Sequence, residues 1–150
     1  MSGQDFAIGY GRGEIEPKIA PLVAAVRKAG FITFSSCEGH IEDGERGGLP
    51  RATSVSFYAR ENEAQRVHER FLRCRDQLAC SWEFTARFVL QWRTDVWVLG
   101  WSLENCGIIE PGEPSYFLAR TMNAAWKIDI PILIEMFDGM TDTTTPIAQP

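Results

Sequence analysis

The chain has 150 residues, of which 45% are hydrophobic and 23% charged, and its formal net charge is -5. A chain of this length and composition forms one globular domain and needs neither a disulfide nor a metal ion to fold. The acidic balance excludes a broad nucleic-acid surface, which requires clustered Lys and Arg, so duplex DNA is not an expected partner.

The sequence also argues against a membrane or secreted protein. No stretch approaches the ~18 apolar residues of a membrane span. Residues 1–5 have neither a basic start nor a following apolar run, which a secretion signal would need. We therefore expect a cytoplasmic protein in which the four cysteines are reduced thiols.

The first half of the chain predicts one helix and two strands. Apolar residues recur at helical spacing over 17–30, and the segment ends on a glycine. Residues 31–34 and 53–59 are rich in β-branched and aromatic side chains and predict strands. Residues 38–51, with four glycines and a proline, predict a long flexible loop between them.

The second half predicts a helix, a hairpin and a further helix. The apolar stripe over 61–79 is typical of an amphipathic helix; its members are Ala64, Val67, His68, Phe71, Leu72, Arg75 and Leu78. Residues 82–92 and 96–103 alternate as strands and are close enough to form a hairpin. Pro114 is expected to begin the last helix, and Pro131 is expected to break or kink it. Residues 132–137, after this proline, predict a short apolar helical segment.

The order helix, strand, strand, helix, strand, strand, helix predicts an α/β (α+β) fold. We expect a single mixed, mainly antiparallel sheet of about four strands, packed against about three helices. The domain is predicted to span residues 1–139, and residues 140–150 are expected to be a disordered tail.

One loop concentrates the chemistry of the chain. Ser35 and Ser36 end a predicted strand and offer hydroxyls for ligand binding, and Gly39 permits a tight turn or the close approach of a ligand. Cys37 and His40 are three residues apart and are the candidate catalytic pair. Glu38 completes the candidate ligand-binding set, because loops of this kind carry function more often than packing.

Three functional interpretations of this loop compete with a packing role for Cys37. His40 could activate the Cys37 thiol as a nucleophile. The Cys-x-x-His spacing could instead supply two zinc ligands, but a site needs three or four ligands and no second pair exists, so no metal is expected. In the third interpretation, the loop lines a pocket for a small molecule.

The loop also resembles a known family. Ile19-Ala20-Pro21-Leu22-Val23, the run from Phe31 through Ser35-Ser36-Cys37-Glu38-Gly39-His40-Ile41, and then Gly47-Gly48 are similar to the Tyw3 family over about residues 15–58. Those proteins are S-adenosylmethionine-dependent methyltransferases of wybutosine synthesis on tRNA. The resemblance implies a related scaffold, a pocket at this loop and S-adenosylmethionine as its cofactor.

This chain departs from the family motif at two positions. The family has Ser-Ser-Cys-Ser-Gly-Arg, whereas Glu38 and His40 stand here in place of the serine after the cysteine and of the arginine. An arginine is a permanent forked cation suited to phosphate, and a glutamate adds negative charge. Both changes argue against tRNA or phosphate binding at the loop itself.

A second class of function is a non-catalytic acidic binding protein, such as an inhibitor or immunity factor that masks a basic protein partner. Two features favour it: the acidic run Glu38, Glu42, Asp43, Glu45 and the tryptophan-rich hairpin. Trp97, Leu99, Trp101 and Leu103 share one side of a predicted strand. Core packing predicts that these tryptophans are buried, and a binding surface predicts that they are exposed.

Overall fold

The computed structural model describes residues 14–43, 49–91, 94–106 and 115–141. Its elements in chain order are α1 (Ala20–Lys28), β1 (Ile32–Cys37), β2 (His40–Asp43), β3 (Leu49–Arg51), β4 (Ser54–Tyr58), α2 (Glu61–Cys74), β5 (Trp82–Leu90), β6 (Trp97–Asn105), α3 (Ser115–Ala124) and α4 (Ile130–Thr141). A short 3-10 turn, Arg75–Gln77, follows α2.

Four of the strands form the main sheet in the order β1-β4-β6-β5. Every neighbouring pair is antiparallel, so the predicted α+β fold is confirmed, and the sheet within the described residues is antiparallel rather than mixed. The strands β1 and β5 lie at its edges. Side chains alternate between the two faces, as the two-residue period of a strand requires.

The helices cover one face of this sheet, here called the covered face. Val55, Phe57 and Leu103 of the central strands are fully buried on it. They pack with Leu22 of α1 and Val67 of α2, among other apolar side chains of the helices. The opposite face, here called the open face, carries no helix among the described residues, and its central part is lined by small polar side chains.

A small second sheet interrupts the segment that was predicted to be a long loop. The strands β2 and β3 pair antiparallel with His40 opposite Arg51, so the prediction of irregular structure over residues 38–51 is wrong at both ends. The two strands are only four and three residues long, and the segment that holds them is rich in glycine and charged residues, so neither strand shows an alternating apolar pattern.

The last helix does not break at Pro131. The helices α3 and α4 run on through a π-helical stretch, Ala125–Asp129, in which the Ile130 amide donates to the carbonyl of Ala125. This wider turn comes directly before Pro131, whose ring would clash with a normal α-helical carbonyl four residues back. Met140 and Thr141 belong to α4, so the predicted tail begins too early, and residues 142–150 lie outside the described part.

The predicted helix over 61–79 is confirmed as α2, with a shorter end. Ala64, Val67 and Phe71 are buried as the stripe predicts, whereas Leu72 is half exposed. His68 is exposed at its edge and stacks on Phe84 at 5.9 Å between ring centroids. Among the described residues, no helix combines the length and the apolar character that crossing a membrane requires.

Candidate functional site

The Ser35–His40 loop connects the two sheets through a very short turn. Cys37 is the last residue of β1 and His40 the first of β2, so only Glu38 and Gly39 join them. Gly39 has a φ of +98°, a left-handed conformation that favours glycine. A Cβ atom at this position would lie 2.7 Å from the Thr53 hydroxyl. The glycine is therefore required by both backbone conformation and space.

Glu38 holds this turn in place with four hydrogen bonds. Its carbonyl oxygen accepts from the Thr53 hydroxyl at 2.9 Å and from the Trp126 indole at 2.6 Å. Its carboxylate accepts from the Lys18 amide at 2.9 Å, and its own amide donates to Glu16 at 3.2 Å. Glu38, which the sequence analysis assigned to ligand binding, is thus engaged with the protein through backbone and side chain.

Cys37, His40 and Glu16 converge beside this turn. The Nε2 atom of His40 lies 2.7 Å from a carboxylate oxygen of Glu16. The Cys37 sulfur accepts a hydrogen bond from the Gly39 amide at 3.3 Å. One potential ligand atom from each of the three residues lies within 4.8 Å of the other two. The structure therefore brings together the two residues predicted to be catalytic and adds a carboxylate.

The protein environment does not activate Cys37 as a free nucleophile. Burial raises the pKa of its thiol from 9.0 to about 11, and the neighbouring Glu16 charge and a hydrogen bond to the Glu16 side chain act in the same direction. The Gly39 amide and the Arg51 charge oppose this increase only in part. A reactive cysteine needs the opposite shift, so the thiol is protonated at neutral pH.

The two serines of the motif point to opposite faces of the main sheet. Ser36 pairs with Val55 and so lies on the covered face. Ser35 pairs with Ser56 and contributes to a polar depression on the open face. The structure therefore splits the predicted ligand-binding set, since only Ser35 lies at an open pocket.

This depression, here called the serine trough, has a volume of about 230 Å³. It is lined by Ser35, Arg51, Ala52, Ser54, Ser56, Thr85, Arg87, Ser102 and Glu104. The hydroxyls of Ser56 and Ser102 lie 2.6 Å apart on its floor, within hydrogen-bond distance. The trough thus combines several hydroxyls with cationic and anionic side chains, which are the groups that fix a small polar ligand.

The β5–β6 hairpin exposes aromatic side chains beyond the helices. Phe88 is 71% exposed and Trp97 is 63% exposed. Trp101, by contrast, is partly buried against the core, and its indole donates to the Ala59 carbonyl at 3.1 Å. Within the predicted tryptophan stripe, Trp97 is therefore exposed as a binding surface predicts, whereas Trp101 packs against the core.

Sequence reasoning missed Glu16, Thr53 and Trp126 at the loop. Glu16 precedes α1, and the turn after it is fixed by hydrogen bonds from the Ile19 and Ala20 amides to its carbonyl. Nothing in the local sequence distinguishes this glutamate from the neighbouring Glu14, because its role depends on where the fold places it. The only available signal was the proline after Glu16, which favours an extended residue before a turn.

Comparison with models of protein families, with curated proteins and with solved structures gives no match to this chain. The resemblance to Tyw3 therefore stays a prediction, and the functional argument rests on the residues of the site.

Proposed function

We propose that this chain is a small-ligand or substrate-binding domain whose ligand occupies the serine trough beside the Ser35–His40 loop. The observation that carries this proposal is the composition of the trough: hydroxyls from all four strands of the main sheet face one depression together with Arg87 and Glu104. Polar side chains that converge on one concave surface are typical of ligand sites.

The charges of the trough favour a ligand with an anionic group. Arg51 and Arg87 can each offer a forked set of donors, which matches the geometry of a carboxylate or phosphate. Glu104 at the same depression favours a ligand that also carries a positive charge. A zwitterion such as the amino-acid part of S-adenosylmethionine fits both requirements, and the resemblance to Tyw3 implies that cofactor.

Calorimetry with S-adenosylmethionine, methionine and adenosine tests this proposal. Binding of S-adenosylmethionine and of methionine, weakened at least tenfold by Arg87→Gln, would support a site for the amino-acid part. Arg73→Gln is the matched control, because Arg73 is an exposed arginine of α2 outside the trough. No heat with any of the three at millimolar concentration would exclude this ligand class.

Methyl transfer is the enzymatic extension of this proposal. It requires S-adenosylmethionine to bind and its methyl group to pass to a second substrate, leaving S-adenosylhomocysteine. Mass spectrometry of the cofactor after incubation with unmodified tRNA measures that product. If S-adenosylmethionine binds but no S-adenosylhomocysteine forms, the chain is a ligand-binding domain without this activity. If Arg87→Gln still forms S-adenosylhomocysteine at the parent's rate, the cofactor binds outside the serine trough.

The exposed hairpin favours a second candidate, the acidic protein that masks a basic partner. Phe88 and Trp97 are large apolar side chains on the same face of β5 and β6, in a chain of net charge -5. Aromatic side chains of this kind often anchor interfaces. Native mass spectrometry of the chain from its source cells would show one stoichiometric basic partner, which a Phe88→Ala, Trp97→Ala double variant would lose.

A further inference from the structure

A carboxylate, a thiol and an imidazole meet at one point although they come from three parts of the chain. Glu16 precedes α1, Cys37 ends β1 and His40 begins β2. One donor atom of each lies within 4.8 Å of the others, and no other such trio is found within the described ranges. The cluster lies outside the serine trough, since none of its three residues lines that depression.

We propose that Glu16, Cys37 and His40 bind one Zn²⁺ ion. Zinc takes thiolate, imidazole and carboxylate ligands, and the three are supplied here by one residue each. The sequence alone predicted no metal because it offered only Cys37 and His40. Glu16 provides the missing third ligand.

The spacing of the donor atoms fits a tetrahedral ion after a small adjustment. Zinc–ligand bonds of about 2.0–2.3 Å place neighbouring ligand atoms roughly 3.5 Å apart in a tetrahedron. The 2.7 Å between His40 and Glu16 is shorter than this, and the 4.8 Å limit for the trio is longer. Side-chain rotations that lengthen the His40–Glu16 contact and shorten the distances to the Cys37 sulfur bring the three donor atoms to coordination distance.

Backbone amides already orient two of the three ligands. The Glu38 amide donates to one carboxylate oxygen of Glu16 at 3.2 Å, which leaves the other oxygen, now beside His40, for the ion. The Gly39 amide donates to the Cys37 sulfur at 3.3 Å. Hydrogen bonds of this kind fix ligands and tune a metal site.

Charge also favours a divalent cation here. When the ion binds, the Cys37 thiol releases its proton to solvent. The resulting thiolate and the Glu16 carboxylate together carry two negative charges, which balance Zn²⁺. Three protein ligands leave a fourth position for water or for a substrate atom, the arrangement of catalytic rather than structural zinc sites. The partial exposure of His40 and Glu16, 35% and 32% of their side chains, leaves that position open to solvent.

Zinc titration of the metal-stripped full-length chain, in competition with a chromophoric chelator, tests the proposal. One ion per chain is expected, and Glu16→Gln, Cys37→Ser and His40→Ala should each weaken binding at least tenfold. Glu14→Gln and Cys80→Ser are matched controls, since they change the same residue types outside the cluster and should bind as the parent does.

Cobalt substitution identifies the ligands independently of affinity. Co²⁺ should give the near-ultraviolet charge-transfer band of a cobalt–thiolate bond, absent in Cys37→Ser and retained in Cys80→Ser. Circular dichroism shows whether Cys37→Ser folds; if it does not, Glu16→Gln, which keeps an acceptor for the Glu38 amide, decides the question. No stoichiometric uptake at micromolar zinc, or uptake that Glu16→Gln leaves unchanged, would overturn the proposal.

Discussion

Cys80 lies beside the Asp129 carboxylate and Cys37 beside the Glu16 carboxylate. The two carboxylates differ in burial and in their hydrogen-bond partners. Asp129 is fully buried and accepts from the Ala79 amide at 2.7 Å, the Cys80 amide at 3.0 Å and the Trp82 indole at 2.8 Å. Glu16 is partly exposed and accepts from one backbone amide and from the ring of His40. Asp129 is therefore held by three N–H donors of the fold. Glu16 instead contacts the His40 side chain, a partly exposed partner that an ion could replace.

The difference separates a structural carboxylate from a candidate ligand. A buried carboxylate is tolerated only when hydrogen bonds replace its water. At Asp129 these hydrogen bonds join the end of the π-helical stretch to the start of β5 and to the two residues at 79 and 80 before it. At Glu16 the protein satisfies one oxygen and leaves the other beside a histidine and a thiol. Similar residue types therefore stabilise the fold at one site and offer ion ligands at the other.

The largest expected effect is on the structural site. Asp129→Ala removes the acceptor of three N–H groups, of which the Trp82 indole lies in a buried hydrogen bond and the two backbone amides in partly buried ones. A buried N–H that is left unpaired costs about 1–3 kcal/mol. We expect the free energy of unfolding, measured by urea denaturation, to fall by about 3 kcal/mol or more. Glu16→Ala in metal-free buffer should cost about 1 kcal/mol or less, as a partly exposed pair does. Equal losses at the two carboxylates would remove the distinction between the sites.

The thiol beside Asp129 should react slowly and respond to pH. Burial first, and then the Asp129 charge, raises the pKa of the Cys80 thiol from 9.0 to about 11. At pH 8 its thiolate fraction is then roughly a hundredfold below that of an ordinary thiol. Alkylation of Cys80 by iodoacetamide, followed by peptide mass spectrometry, should be correspondingly slow and should accelerate up to about pH 11.

The same pKa has a consequence for stability. In the unfolded chain the Cys80 thiol loses its proton near its ordinary pKa, whereas the folded chain retains that proton, so unfolding becomes easier as the pH rises from 9.0 to about 11. Asp129→Asn removes the charge and should accelerate alkylation. A rate in the parent that already levels off near pH 9 would contradict the assigned cause.

The turn beside Glu16 is expected to be sensitive to a single methyl group. Gly39 and Gly30 have nearly the same φ, +98° and +101°, but only Gly39 would place a Cβ against Thr53. Gly30→Ala should cost about 1 kcal/mol from backbone strain alone, and Gly39→Ala about 1–3 kcal/mol more because of the contact. Thermal melts of the two variants measure the difference, and equal melting temperatures would show that the turn can relax.

The sequence predicted the main elements because their patterns are local. The stripe of α2 and the alternation in β5 and β6 follow from side-chain periods within one segment. The strands β2 and β3 are too short to show an alternating pattern, and the π-helical stretch before Pro131 is a local adjustment of hydrogen bonds, so neither feature leaves a period to detect. Leu72 matches the stripe of α2 but is half exposed, so the elements within the described part of the chain leave that edge of the helix uncovered.

The candidate site was predictable only in its contiguous part. Cys37 and His40 are recognisable by type and spacing, and the structure brings them together. Glu16 joins them only through the folding of α1 against the sheet. Ser35 and Ser36 were assigned to one set, but adjacent residues of a strand face opposite sides, so one sequence motif serves two separate surfaces.

The smallest expected effect on stability belongs to His40, the exchangeable partner of Glu16. Its ring makes one contact with that carboxylate from a partly exposed position, and such pairs contribute about 0–1 kcal/mol. His40→Ala should therefore change the free energy of unfolding by less than about 1 kcal/mol in metal-free buffer. Added zinc should raise the melting temperature of the parent but not of this variant, because an ion that binds only the folded chain stabilises it in proportion to its affinity. A large loss of stability without zinc would instead make His40 a structural residue like Trp82, whose indole nitrogen is committed to Asp129.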